Sequence, residues 1–349
     1  MKKWIAACLL INLLMTAACG NTTNNTTPAG TQATTAAQTA PASDAADKTP
    51  VTVRLAALKG PTSIGLVKLL EDNGAGKTTN KYEFTMAAAA DEITPLFVKG
   101  ELDIVAVPAN LGAVLYANTS GKVQQIAINT LGVLYIVQKG ETISSVKDLA
   151  GKTIYATGKG ATPEYALRHV LSLSGLDPDK DVTLEWKSEP TEVVALLKNQ
   201  ASGVAMLPQP FATVAGTQVE GLTTAIDLTK AWNDLSADGS QLITAGVMVR
   251  KAFAEEHPEA VKAFLNEYAA SVEWVTANVD DAAVLVEKLD IVKAAIAKKA
   301  IPLCNIVCIT GSEMKTALEG YFKVLFELNP KAVGGSLPGD DYYYDGAKK

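Results

Sequence analysis

Histidine and cysteine are scarce in this chain of 349 residues, which contains two His and four Cys. A metal site built on histidine is therefore not expected, and few residues are available for catalysis by a histidine base. Basic residues are also too few for a nucleic-acid partner, because 31 Lys and Arg stand against 37 Asp and Glu and the net charge is −6. Apolar residues make up 48% of the chain, as in packed globular proteins. We expect no cofactor, no metal and no nucleic acid.

Long apolar runs are missing beyond the first twenty residues. Two lysines precede an apolar stretch over 5–15, which is shorter than the ~20 residues that span a membrane and is typical of a signal peptide. The following TAACG (16–20) resembles the lipobox of bacterial lipoproteins. We expect a signal peptide over 1–18, a lipid (palmitate) on Cys19, and anchoring at the extracytoplasmic face of the cell membrane. An ordinary cleaved signal peptide is the alternative.

Aromatic and large aliphatic side chains are absent from residues 21–50, which are almost entirely Asn, Thr, Ala, Gln, Ser and Pro. Such a segment cannot bury enough apolar surface to offset the entropy lost on ordering. We therefore expect a lipidated, disordered tether over 19–50.

Strand patterns alternate with helical patterns from residue 51 onward, which favours an α/β fold with parallel sheets between helices. The length exceeds one modal domain. We expect two lobes with two interdomain crossovers and a ligand cleft between the lobes. Lobe 1 comprises 51–138 and 245–349, and lobe 2 comprises 139–244. From residue 251 onward the pattern predicts helix almost throughout.

Polar or small residues follow four predicted strands at the start of a helix. These loops are LKGPTSIG (58–65), VPANLG (107–112), GKGATPEY (158–165) and MLPQPFA (206–212). Ligands of open α/β sheets bind beyond the carboxyl ends of the strands. Free N–H groups at a helix start suit a polar or anionic group. Within the third loop, Thr162 is predicted to cap a helix that begins with Pro163.

Two glycine-containing segments resemble nucleotide-binding motifs but lack essential residues. In GAGKTT (74–79), Glu71 occupies the position of the first glycine of a P-loop, so a surface turn is predicted. In GKGATP (158–163), Pro163 replaces the third glycine of a dinucleotide fingerprint. Cys304 and Cys308 are predicted to be buried thiols, although an irregular turn would permit a disulfide.

Three segments carry a family resemblance: LKGPTSIGLVKLLE (58–71), SVKDLAGKTIYATGKGATPEYALRHVL (145–171) and the tail 301–330. Together with the lipobox and the tether, they resemble the substrate-binding lipoproteins of bacterial ABC importers, in the nitrate, taurine and sulfonate group. The resemblance implies a two-lobed periplasmic-binding-protein fold. It places ligand contacts at Thr62, Ser63, Asn110, Thr130, Gly160, Ala161, Thr162 and Gln209.

The resemblance implies a binding function rather than catalysis. We expect a monomeric, membrane-anchored protein that captures a small polar or anionic solute by hinge closure and delivers it to the permease subunits of an ABC transporter. Two alternatives stay open: an enzyme of thiamine-pyrimidine or menaquinone synthesis on the same fold, and a ligand-sensing lipoprotein.

Overall fold

A computed structural model describes residues 50–346 of the chain. The expected signal peptide, the lipid on Cys19 and the tether up to residue 49 lie outside these described residues. Within them, none of the helices combines the length and the apolar character needed to cross a membrane.

Eleven strands are described between residues 50 and 346. They are β1 (Thr52–Leu58), β2 (Lys81–Ala87), β3 (Ile104–Pro108), β4 (Val123–Leu131), β5 (Leu134–Lys139), β6 (Thr153–Thr157), β7 (Thr183–Lys187), β8 (Gly203–Pro208), β9 (Leu222–Asp227), β10 (Ile243–Arg250) and β11 (Ile306–Ile309).

Two separate sheets are built from these strands. The first has the order β11-β4-β10-β3-β1-β2, and the second has the order β7-β6-β8-β5-β9. In the first sheet β1 is parallel to β2 and β3, whereas β10 is antiparallel to β3 and β4. In the second sheet β6 is parallel to β7 and β8, and β5 is antiparallel to β8 and β9. The two-sheet α/β architecture expected from the alternating pattern is confirmed.

Thirteen α-helices are described in the same part of the chain. They are α1 (Pro61–Ile64), α2 (Val67–Gly74), α3 (Ala90–Lys99), α4 (Ala109–Asn118), α5 (Thr162–Leu173), α6 (Pro190–Asn199), α7 (Phe211–Gln218), α8 (Leu228–Leu235), α9 (Lys251–Glu256), α10 (Pro258–Ala277), α11 (Val279–Lys288), α12 (Ala294–Ala300) and α13 (Gly311–Leu328). Four short 3₁₀ turns complete the secondary structure of residues 50–346.

Local sequence signals explain where several of these helices begin and end. Helix α3 ends at Gly100, whose φ of 85° lies in the left-handed region that glycine tolerates at a helix end. Proline occupies the first turn of α6 and α10, where its missing N–H costs no helical hydrogen bond. The chain after α2 continues without a helix or strand through residues 75–80, which agrees with the turn predicted for GAGKTT.

The apolar residues of the described chain form a core on both faces of the first sheet. One cluster joins this sheet to α13 and the second sheet through residues such as Ile128, Trp232 and Tyr321. A second cluster packs the opposite face against α2 and α10. The carboxy-terminal Tyr342 is fully buried, and its hydroxyl lies 2.9 Å from Gln125 Oε1. The tail therefore docks on the first sheet.

The two passages between the sheets are short. The chain leaves the first sheet at Leu131 and enters the second at Leu134. It returns between the end of α8 at Leu235 and the start of β10 at Ile243. Strand β5 therefore belongs to the second sheet. The chain enters that sheet at Leu134, a few residues before the boundary between the lobes that is expected at 138/139. After residue 251, where helix is expected almost throughout, the chain also forms β11, a four-residue strand on the edge of the first sheet.

Candidate functional site

The carboxyl ends of the central strands of the two sheets face each other. Strands β1, β3 and β4 run in the same direction, because β10 is antiparallel to both β3 and β4. The end of β4 is joined to the start of β5 by two residues, Gly132 and Val133. Because β5 is antiparallel to β8, this connection lies at the edge where β6 and β8 end. The loops that begin α1, α4, α5 and α7 all leave these edges.

A buried hydrogen bond connects the two edges. The Thr162 hydroxyl at the start of α5 donates to Asn110 Oδ1 in the first turn of α4, at 3.2 Å. The Tyr321 hydroxyl of α13 lies 3.1 Å from the same threonine oxygen. Thr162 and Asn110 are 1% and 7% exposed. Two residues predicted from loops of different sheets therefore contact each other directly.

A second polar group forms on the first sheet around Asn129. Its Nδ2 donates to the carbonyl oxygen of Thr62 at 3.2 Å, and its Oδ1 lies 3.3 Å from the Thr130 hydroxyl. Asn129 and Thr130 are fully buried at the end of β4. The structure thus brings Thr62 and Thr130 together through an asparagine that the sequence analysis missed.

The remaining predicted residues lie on the same loops without joining either group. The Ser63 hydroxyl donates to the carbonyl oxygens of Leu58 and Gly60 within its own loop. Gln209 is 3% exposed, and its Oε1 accepts a hydrogen bond from Thr213. Gly160 is exposed with a φ of 78°, and Ala161 is half-buried at the start of α5.

The predicted capping role of Thr162 is wrong. Helix α5 begins at Thr162 itself, its N-cap residue is Ala161, and no side chain caps it. The threonine hydroxyl bonds to Asn110 instead of to the backbone of its own helix. A sequence pattern typical of a cap therefore marks a contact between the two sheets.

Other hydrogen bonds between elements packed on the two sheets involve residues outside the eight predicted ligand contacts. The Tyr135 hydroxyl of β5 donates to the carbonyl oxygen of Leu303 at 3.0 Å, and Asn329 Nδ2 donates to the Tyr165 hydroxyl at 3.3 Å. No recognisable sequence motif marks either tyrosine. The only sequence signal for Asn129 is a polar residue inside an otherwise buried strand.

The polar residues at the facing edges are packed closely. Thr62, Ser63, Asn110, Thr130, Thr162 and Gln209 are each at most 8% exposed. A cavity of about 410 Å³ lies between the turn 238–241 and the first half of α13, and none of the predicted residues lines it. We assign the site to the facing edges rather than to this cavity, because the edges carry hydroxyl and amide groups from both sheets.

The two described cysteines are not bridged. Cys304 is buried and Cys308 is half-buried, and both are free thiols. Burial raises the pKa of Cys304 to about 12 and that of Cys308 to about 11. At neutral pH both sulfurs are therefore protonated and weakly nucleophilic.

The chain is similar in sequence to known proteins over about half of its length. The family model described as "NMT1/THI5 like" matches residues 121–282, slightly less than half of the chain. Curated proteins of Brucella abortus and Brucella suis, each named "Putative binding protein", are 28% identical over 195 residues. The match covers 54% of this chain and 58% of each relative, so the chain spans less than two thirds of their length.

Solved structures match over most of the chain. An ABC transporter protein from Parabacteroides distasonis has a TM-score of 0.72 and 22% identity, and the match covers 84% of this chain and 99% of that chain. The periplasmic aliphatic sulphonate binding protein SsuA from Escherichia coli has a TM-score of 0.67 and 16% identity. The match covers 86% of this chain and 94% of that chain. The chain has the fold of a periplasmic binding protein. The periplasmic nitrate-binding protein NrtA from Synechocystis has a TM-score of 0.59 and 13% identity, covering 83% of each chain.

The expected resemblance to substrate-binding proteins of ABC importers is thus confirmed for the fold. The facing edges described above are where the ligand cleft between the lobes is expected. The lobe boundaries and the eight predicted ligand contacts stay predictions.

Proposed function

We propose that this protein is the extracytoplasmic solute-binding component of an ABC importer. It captures a small polar solute between the two lobes and delivers it to permease subunits, without catalysing a reaction. The observation that carries the proposal is the buried contact between Asn110 and Thr162, which joins polar loops of the two sheets. The names of the structural neighbours support the same function.

Capture is proposed to work by hinge closure at the two passages between the sheets. The described cleft residues bond to one another, so the lobes must separate before a solute can reach Thr62, Asn110 or Thr162. A solute that contacts both lobes then shifts the population toward closure, by as much as its differential affinity for the closed state. The eight predicted residues are proposed as the solute contacts, and Asn129 is added to them.

The proposal includes a lipid on Cys19 and a tether over 19–50 that holds a monomer at the membrane. The lipobox-like TAACG segment supports it. The enzyme alternative is less favoured, because the solved structures reported above are named as transporter or binding proteins.

A thermal-shift screen of the protein tests the binding function. The panel contains sulfonates, taurine, nitrate, bicarbonate, thiamine pyrimidines, riboflavin and amino acids. A solute at about 100 times its dissociation constant adds ~2.7 kcal/mol to the free energy of unfolding, which gives a clear shift in Tm. We expect at least one such solute, and a panel without any shift would contradict the proposal.

A further inference from the structure

Three loops that follow parallel strands already hold a carboxylate of this chain. The N–H of Gly160, after β6, donates to Glu164 Oε2 at 2.7 Å. The N–H of Ala89, after β2, donates to Glu92 Oε1 at 2.8 Å. The N–H of Ser188, after β7, donates to Glu192 Oε2 at 3.2 Å. Each glutamate lies in the first turn of its helix, where an anion is favoured by the helix dipole.

Glu164 lies on the same first turn of α5 as Thr162, which contacts Asn110. It lies two residues after Thr162, and its side chain is only 12% exposed. Arg168 Nε donates to Glu164 Oε1 at 2.9 Å, and Arg168 Nη1 donates to Asp179 at 2.8 Å. The arginine is therefore shared between two carboxylates. A bound anion at the start of α5 would have to compete with Glu164 for the N–H groups of the loop.

The groups buried at the cleft are uncharged. Asn110, Asn129, Thr130, Thr162 and Gln209 offer only hydroxyl and amide groups. Among the loop lysines, Lys59 is paired with Asp290 at 3.3 Å, and Lys159 is exposed. Hydroxyl and amide groups both donate and accept hydrogen bonds, so they recognise a neutral polar solute without requiring a charge.

We propose that the cleft takes an uncharged polar solute and that Glu164 disfavours small oxyanions such as sulfonates and nitrate. This inference rests on the proposed binding function and narrows its solute class. Replacing Glu164 by a neutral residue removes the repulsion between like charges, so we expect the affinity for an anion to rise about tenfold.

Isosteric pairs of probes, one neutral and one anionic, test the inference by isothermal titration calorimetry. Suitable pairs are methanesulfonamide and methanesulfonate, and nicotinamide and nicotinate. We expect the wild-type protein to bind at least one neutral probe, at least tenfold more tightly than its anionic partner. In Glu164→Gln this preference falls about tenfold, because the anion no longer faces a carboxylate.

Glu287→Gln is the matched control. Glu287 on α11 also accepts hydrogen bonds from a backbone N–H, that of Ala294, and from a cationic side chain, that of Lys293. Its replacement removes the same charge elsewhere, so the preference should stay at the wild-type value. An equal gain in anion affinity in both variants would show an effect of net charge and overturn the role of Glu164.

The titration results distinguish an error in the proposed solute class from an error in the proposed binding function. Tighter binding of the anionic probes by the wild-type protein would overturn the uncharged class and leave the binding function standing. An unchanged preference in Glu164→Gln would overturn the assigned role of Glu164. Absence of binding by every probe, neutral and anionic, would contradict both the uncharged class and the binding function.

Discussion

Single residues at the cleft combine two tasks, because the groups proposed to bind the solute also bond to each other. Thr162 contacts Asn110 and Tyr321, and Asn129 contacts Thr62 and Thr130. A buried polar group without a partner costs about 1–3 kcal/mol. These internal bonds therefore keep the ligand-free residues satisfied until a solute replaces them.

Asp103 has a structural role, which can be measured through the pH dependence of the free energy of unfolding. Burial alone would raise the pKa of Asp103, but hydrogen bonds from Arg54 and Arg250 outweigh burial and lower it below the ordinary 3.8. Asp103 Oδ1 lies 2.5 Å from Arg54 Nη2 and 2.6 Å from Arg250 Nη2. Because the lowered pKa belongs to the folded state, its stabilisation is complete above the unfolded pKa and disappears as the pH falls through the folded pKa.

We predict that Asp103→Asn lowers the free energy of unfolding by ~2 kcal/mol at pH 7. This loss is smaller than that for a fully buried ion pair, because both arginines are partly exposed to solvent. The difference from wild type should shrink below about pH 4. Urea denaturation at several pH values measures it. The exposed pair of Asp280 and Lys298 supplies the control, since Asp280→Asn should change stability by less than ~0.5 kcal/mol. A constant difference between pH 7 and pH 3 would contradict the assignment.

The thiols of Cys304 and Cys308 are predicted to resist alkylation in the folded protein. The raised pKa of each group leaves little thiolate at pH 8, and burial limits access of the reagent. Iodoacetamide should modify neither residue in buffer and both in concentrated guanidinium chloride. Peptide mass spectrometry distinguishes them from the other two cysteines. Rapid modification of Cys304 in the folded protein would show that its environment opens.

Among the elements, the connection from β4 to β5 is tightly packed. Asn305 Nδ2 donates to the carbonyl oxygen of Gly132 at 2.6 Å, and the N–H of Leu131 donates to the carbonyl oxygen of Asn305 at 3.1 Å. A Cβ atom on Gly132 would overlap the Thr229 hydroxyl of α8 and approach Leu242 to 2.9 Å. Glycine at position 132 therefore allows the two passages between the sheets to pack side by side.

Gly132→Ala is predicted to lower the free energy of unfolding by about 1–3 kcal/mol, because the added methyl group overpacks this connection. Chemical denaturation gives the value. Gly216→Ala is the matched control, since a Cβ atom there meets nothing within 4 Å on α7. That variant should be slightly more stable, by up to ~1 kcal/mol, through helix propensity. Equal stability of Gly132→Ala and wild type would contradict the close packing.

Several elements could be predicted from sequence alone, and the reasons are local. Helix α4 begins at Ala109, within the VPANLG loop where a helix start is predicted, because apolar and small residues follow a buried strand there. Strand β11 was not predicted, since a four-residue segment between two loops has no distinct periodicity. The cap at Thr162 failed because a threonine before a helical pattern is compatible both with capping and with a contact to another element.

At the scale of the whole molecule, the sequence indicates which loops leave the strand ends but not which atoms meet. Thr162 and Asn110 are 52 residues apart and lie on loops of different sheets, so only the folded arrangement pairs them. Tyr321 reaches the same point from a helix near the end of the described chain. Such contacts depend on long-range packing, which has no short sequence motif.

We propose that a solute binds between the two lobes at Thr62 and Thr162. Isothermal titration of the solute found by the screen against the double variant Thr62→Ala, Thr162→Ala tests it most directly. Thr217→Ala is the control, because Thr217 is exposed on α7 and bonds only within its helix. We predict that the double variant stays folded by circular dichroism and binds at least tenfold more weakly, while the control matches wild type. An unchanged affinity in a folded double variant would contradict the account.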